Sequence, residues 1–214
     1  AERANDAELV EVGHVSRAPR AGSPTGRARS RGGAPIRRAR AIARQILSGL
    51  AAIHRAQLIH GDMKSDNVLI GRRRGREHAT IIDLGLARSP ARPAHVDHRV
   101  SGTPEYMAPE QVRGDQLTAA TDLYAVGVIV YEMLTGTTPF GGGSPTTVFD
   151  RQLHDDVVAV ALRCPDCAIP PALDAVIRSA LSKDAGGRPA SAEVFAAALD
   201  TFGFYHDRFD HSVG

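Results

Sequence analysis

Residues 60–70 read His-Gly-Asp-Met-Lys-Ser-Asp-Asn-Val-Leu-Ile, a short polar loop that runs straight into an apolar strand. The loop carries a carboxylate at Asp62, an ammonium two residues on at Lys64, and an amide at Asn67. Aspartate, lysine and asparagine at this spacing suit phosphoryl transfer. That chemistry asks a protein to orient an acceptor hydroxyl, offset phosphate charge and hold Mg²⁺, with little covalent work of its own. It also asks for a second carboxylate on a nearby strand. Thr80-Ile81-Ile82-Asp83-Leu84-Gly85 meets that need by ending an apolar run in an aspartate and a glycine.

With these residues in place, the chain resembles the protein kinase superfamily, of the bacterial Ser/Thr type. His60, Asp62, Lys64 and Asn67 match the catalytic-loop signature, and Asp83-Leu84-Gly85 stands where the family has Asp-Phe-Gly. Gly102-Thr103-Pro104-Glu105-Tyr106-Met107-Ala108-Pro109-Glu110 looks like the end of an activation segment, and Leu181 to Pro189 resembles the family's last motif. The resemblance covers residues 36–201. It implies an α+β family fold, of which this chain has the mainly α-helical C-lobe with short β hairpins at the catalytic loop.

By that resemblance, Asp62 would orient the substrate hydroxyl and act as base, and Lys64 would sit on the transferring phosphoryl group. Asn67 and Asp83 would hold Mg²⁺ against the phosphates of ATP. Thr103 would bridge Asp62 and Lys64 and so favour a Ser/Thr acceptor on a protein substrate. Asp122 would cap its helix and accept backbone N–H groups of the catalytic loop, the plainer reading being a helix N-cap alone. Glu110 and Arg188 would pair to tie the activation segment to the end of the lobe.

The chain in order supports this division. Residues 1–35 hold an alternating stretch, Glu8 to Gly13, that reads as a strand and hinge remnant. A basic, low-complexity run over 16–35 follows, with the composition of a flexible segment. Ile42, Ile46, Leu47, Leu50 and Ile53 then recur at helical spacing, with Arg44 and Gln45 turned outward. His54, near the end of that helix, reads as a hydrogen-bonded structural histidine. Leu58-Ile59 reads as a short strand into the loop.

Arg72 to Arg76 reads as a hairpin turn with a solvated charge run, a phosphate- or acid-binding role being the alternative. The middle of the activation segment, Ala87 to Ser101, is polar and broken by proline, as a mobile loop would be. The stretch from Asp122 to Thr135 is apolar on nearly every face, which predicts a helix buried all round. Further helices are predicted near 145–155, 171–182 and 190–201, with an uninformative tail over 202–214. Cys164-Pro165-Asp166-Cys167 supplies two ligands where a structural zinc wants four, so it reads as buried or incidental thiols.

Composition excludes some classes. Of 214 residues, 43% are hydrophobic and 23% charged, enough for one sizeable core, and a net charge of +2 argues against a nucleic-acid partner. The longest strongly apolar run, Leu123 to Tyr131, falls short of the ~20 residues of a membrane helix. No charged-then-apolar leader opens the chain, so the expected location is cytoplasmic.

Two departures from the family bear on activity. Gly61 replaces the usual arginine before the catalytic aspartate, which argues against control by activation-loop phosphate. His-Gly-Asp is also similar to the aminoglycoside phosphotransferases, whereas Lys64 and the Gly102–Glu110 platform favour a protein substrate. At the front, no Gly-x-Gly-x-x-Gly loop and no lysine precedes Lys64. A full N-lobe needs some ~60 residues, whereas 35 precede Ile36. The expectation is a C-lobe without its N-lobe, doubtful in activity alone and able to associate through the face an N-lobe would cover. The readings are then a truncated Ser/Thr kinase or, in the alternative, a non-catalytic pseudokinase-like interaction module.

Overall fold

The structure is a computed structural model and describes residues 13–14, 33–84 and 103–201. The strand reading over Glu8–Val12, most of the basic run, the middle of the activation segment and the tail 202–214 lie outside the described residues. The rest is mostly helical with one small antiparallel sheet.

The fold is arranged around α3 (Ala119–Thr135), of which all but three residues are buried. Its sequence, Ala-Ala-Thr-Asp-Leu-Tyr-Ala-Val-Gly-Val-Ile-Val-Tyr-Glu-Met-Leu-Thr, offers no polar stripe, so every face must find a partner. The helix begins earlier than the expected Asp122. Thr118 precedes it, its N–H donating to Thr121 Oγ1 at 3.1 Å. Gly136 ends it at φ 78°, a left-handed cap that glycine adopts without a Cβ penalty.

Packed against one side of α3 is α1 (Ile36–Arg55), and α6 (Pro171–Ala180) packs against another. The predicted stripe of α1 is the buried one: Ile42, Ile46, Leu47 and Leu50 are all at most 1% exposed. The approach of α6 to α3 is close. A Cβ on Gly127 would meet Ala180 Cβ at 3.0 Å and Leu181 Cδ2 at 3.2 Å. The last helix, α7 (Ala192–Asp200), covers α1 and α6, with Phe195 and Leu199 in the core. Ser191 starts it by accepting the Val194 N–H at 3.2 Å.

The remaining helices are α2 (Pro109–Arg113), α4 (Pro145–His154) and α5 (Val160–Arg163). Sequence periodicity signals neither α2 nor α5, because four or five residues span little more than one turn. Lys183 holds the end of α4, donating to the Arg151 and Gln152 carbonyls at 3.0 and 2.8 Å.

The sheet runs in the order β1 (Gly13–His14), β2 (Val68–Arg73), β3 (Arg76–Ile81), all antiparallel. Both β2 and β3 extend further than their apolar residues suggest. The connection is only Arg74-Gly75, with φ of 51° and 75°, as the tight two-residue hairpin turn requires. Ile59 forms an isolated bridge rather than a strand with Leu58.

Two expectations are corrected. Gln45 is turned towards β3: its Oε1 accepts the Ala79 N–H at 3.0 Å and its Nε2 donates to the Glu77 carbonyl at 3.4 Å. Helical phase alone put it on the outer face, but that side of α1 is covered by the hairpin. Cys164 and Cys167 are joined in a disulfide, leaving no free thiol, because the short turn Pro165–Cys167 brings both sulfurs to the same side.

Candidate active site

The loop from His60 to Asn67 is fixed mainly by α3. Asp122 lies one turn into that helix with its side chain 1% exposed. Its Oδ2 accepts the His60 N–H at 2.9 Å, and its Oδ1 accepts the Gly61 N–H at 2.8 Å. His54, from the last turn of α1, brings Nε2 within 2.8 Å of the same Oδ2. A buried carboxylate is costly unless its lone pairs are met, and here three donors converge on it. His54 is a structural histidine as expected, and Asp122 anchors the loop as expected; the expected capping role falls instead to Thr118, because Asp122 already lies inside the helix.

Gly61 sits at φ 75°, in the left-handed region that favours glycine. Its carbonyl accepts from Gln111 Nε2 at 2.9 Å, and Gln111 Oε1 accepts the Ala108 N–H at 2.9 Å. One amide from α2 thus joins the loop to the segment after residue 103. The fully buried His60 ring spans the same loop. Its Nδ1 accepts the Asp62 N–H at 3.3 Å and its Nε2 lies 3.4 Å from the Ile82 carbonyl, so the Nε2–H tautomer satisfies both sides.

This frame presents Asp62 and Lys64 together, Lys64 Nζ lying 2.8 Å from Asp62 Oδ2. They are 14% and 20% exposed, sheltered yet reachable from solvent. Asn67 Nδ2 donates to the Asp62 carbonyl at 2.7 Å and contacts Asp62 Oδ2 at 3.4 Å. Its amide therefore braces the aspartate and leaves Oδ1 as an acceptor. The Asn67 carbonyl accepts the Ile82 N–H at 2.9 Å, which carries the end of β3 alongside the loop. Asp83 follows at once, exposed, at φ 63°. The structure thus unites Asp62, Lys64 and Asn67 and brings the Asp83 backbone beside them. Thr103 is not joined to that group: among the described residues no hydrogen bond links its hydroxyl to Asp62 or Lys64.

Behind the loop, Ser65 Oγ lies 2.8 Å from Tyr106 Oη, which donates to Glu132 Oε2 at 2.6 Å. Burial, and then the Glu132 carboxylate, push the Tyr106 phenol well above its ordinary range, so it stays a neutral donor. Further out, Arg188 forks onto Glu110 at 2.6 and 2.7 Å. Arg188 also donates to the Ala120 and Ser182 carbonyls at 2.9 Å each, and Thr121 Oγ1 donates to Glu110 at 2.9 Å. Burial alone would raise the Glu110 pKa, but the Arg188 fork outweighs it and holds the carboxyl below its usual value. Sequence reasoning missed Gln111, Ser65 and Glu132, whose roles depend on contacts between separate elements.

The geometry thus presents a carboxylate paired to a lysine and backed by an amide, on a loop anchored by a buried aspartate. The family described as Protein kinase domain matches residues 15–198. The chain is 40% identical over 175 residues to the serine/threonine-protein kinase pkn3 of Myxococcus xanthus, covering 79% of this chain and 32% of that protein. It is 36% identical to PknL of Mycobacterium tuberculosis, with 79% and 42% covered. It is 35% identical to the probable kinase pknA2 of Bifidobacterium longum, with 77% and 21% covered. The chain belongs to the protein kinase family, of the bacterial serine/threonine type, and spans less than half the length of each of these relatives.

Proposed function

We propose that this chain carries the catalytic C-lobe of a serine/threonine protein kinase, the part that receives the protein substrate. The observation that carries this reading is the 2.8 Å Asp62–Lys64 pair with Asn67 braced against the same aspartate. In the proposed reaction, Asp62 accepts a hydrogen bond from a Ser or Thr hydroxyl and aims its oxygen at the γ-phosphorus of ATP. As the new O–P bond forms and the bond to the ADP oxygen breaks, the hydroxyl proton passes to Asp62. Lys64 offsets charge on the moving phosphoryl group. Thr103, at the start of the segment leading into α2, would meet the pair when an acceptor is bound.

The donor set fits Mg²⁺. Among the described residues no cluster of three or more His, Cys, Asp or Glu forms a metal cage. Mg²⁺ held through one or two protein oxygens plus nucleotide phosphates needs none. Asn67 Oδ1 and the Asp83 carboxylate are such oxygens, and the ion would neutralise phosphate charge there.

Residues 1–63 hold no lysine and no Gly-x-Gly-x-x-Gly to meet the upper phosphates. The chain alone is therefore expected to transfer phosphate negligibly, and the same chain fused behind a bacterial kinase N-lobe is expected to transfer it. Phosphoamino-acid analysis of a basic protein incubated with labelled ATP is the test. Phosphoserine and phosphothreonine from the fusion support the kinase reading. Phosphotyrosine, transfer to an aminoglycoside instead of protein, or an inert fusion would overturn it.

A further inference from the structure

The β2–β3 hairpin holds an unusual concentration of charge. Arg72, Arg73, Arg74 and Arg76 are all exposed, and the register sets Arg73 directly opposite Arg76. Like charges facing one another across a hairpin destabilise it. The hairpin has one acidic residue, Glu77, and Arg38 of α1 occupies it: Arg38 Nε lies 3.0 Å from both carboxylate oxygens, and Nη2 lies 3.0 Å from Oε1. The guanidinium groups of Arg73, Arg74 and Arg76 have no partner among the described residues. They open, with Gln45, Glu77 and His78, onto a cavity of about 770 Å³. Gln45 ties the hairpin to α1, and the tight Arg74-Gly75 turn fixes the tip, so the arginines stand on a rigid support.

We propose that this hairpin cavity binds the phosphate of a phosphorylated serine or threonine within a polypeptide. Adjacent guanidinium forks match the oxygens of one phosphate in a way that single ammonium charges do not. No Phe, Tyr or Trp lines the cavity to stack a base, and no apolar side chain is there to enter a lipid surface. The Glu77 carboxylate at the rim opposes a continuous polyanion but leaves room for a single dianionic group. The choice of a phosphopeptide rests on the serine/threonine kinase reading, whose product bears this group. The site would retain phosphorylated substrate, or a phosphorylated partner, on the side of α1 that carries the hairpin.

The test is fluorescence anisotropy of residues 1–214 with a short labelled Gly/Ala peptide carrying one phosphothreonine, against its unphosphorylated twin. The phosphopeptide is expected to bind at least ~10-fold more tightly. Inorganic phosphate should displace it, and R73A/R76A should abolish the preference while circular dichroism stays unchanged. R113A, an exposed arginine paired to Asp115 elsewhere, should bind as wild type does. Equal affinity for the two peptides, an unaffected R73A/R76A variant, or tighter binding of unrelated duplex DNA or phosphatidylserine vesicles would overturn the proposal. D62N, made in the N-lobe fusion and read for both transfer and phosphopeptide binding, separates the two claims. Binding retained while transfer is lost supports docking independently, and docking stands if the phosphotransfer reading fails but phosphopeptide binding persists.

Discussion

Asp122 is the residue on which the site most depends, and it touches no reactant. Its two oxygens hold the backbone of His60 and Gly61, and His54 shares Oδ2. Replacing it with alanine leaves the buried His60 N–H and the half-buried Gly61 N–H without acceptors, at about 1–3 kcal/mol each. Asp122→Ala should therefore lower unfolding free energy by roughly 3–5 kcal/mol in urea titration. A cost below ~1 kcal/mol would mean the loop is held by other contacts. Glu110 gives a pH-dependent counterpart. Its folded pKa lies below the unfolded value of 4.5, so the folded state releases its proton more readily. That stabilisation is fully present above 4.5 and is lost as pH falls through the lowered folded value. The advantage of wild type over Glu110→Gln should accordingly be constant near neutrality and shrink in acid. An advantage that grows in acid would contradict the assignment.

At the scale of elements, α3 joins the core to the chemistry: its first turns anchor the catalytic loop and its middle packs on α6. The contact around Gly127 leaves no room for a side chain, with Ala180 Cβ 3.0 Å from a built Cβ. Gly127→Val should destabilise the fold by about 1–3 kcal/mol through overpacking, read as a lowered urea midpoint. Gly71→Val, where a Cβ meets nothing within 4 Å, is the control and should be near neutral. These elements differ in how far they could be read beforehand. The helix α1 was legible because its apolar residues repeat with the helical turn, and α3 because apolar residues surround it. Gln45 departs from its expected outward position, since periodicity marks a polar position without saying that a hairpin lies over it. The start of α3 lies ahead of the expected Asp122 because Ala119 and Ala120 carry no distinguishing pattern. Asp62, Lys64 and Asn67 were legible as a group because eight residues of loop bring them together. The joining of Gln111 to Gly61, or Tyr106 to Glu132, depends on contacts across tens of residues that no local pattern encodes.

For the whole molecule, the Glu110–Arg188 fork, the Gln111 bridge and the Asp122 anchor connect the catalytic loop to residues at the far end of the chain. The family match from 15 to 198 spans the same connected unit. The lobe is thus a support that presents one small polar cluster, and in the proposed reaction transfer runs through Asp62. The most direct test is the initial rate of phosphate transfer from ATP to a serine/threonine protein acceptor by the N-lobe fusion, compared with the same fusion bearing Asp62→Asn. Loss of a positioned base should lower the rate by at least about 10²-fold, with the urea midpoint little changed. Equal rates for the two proteins would contradict the account.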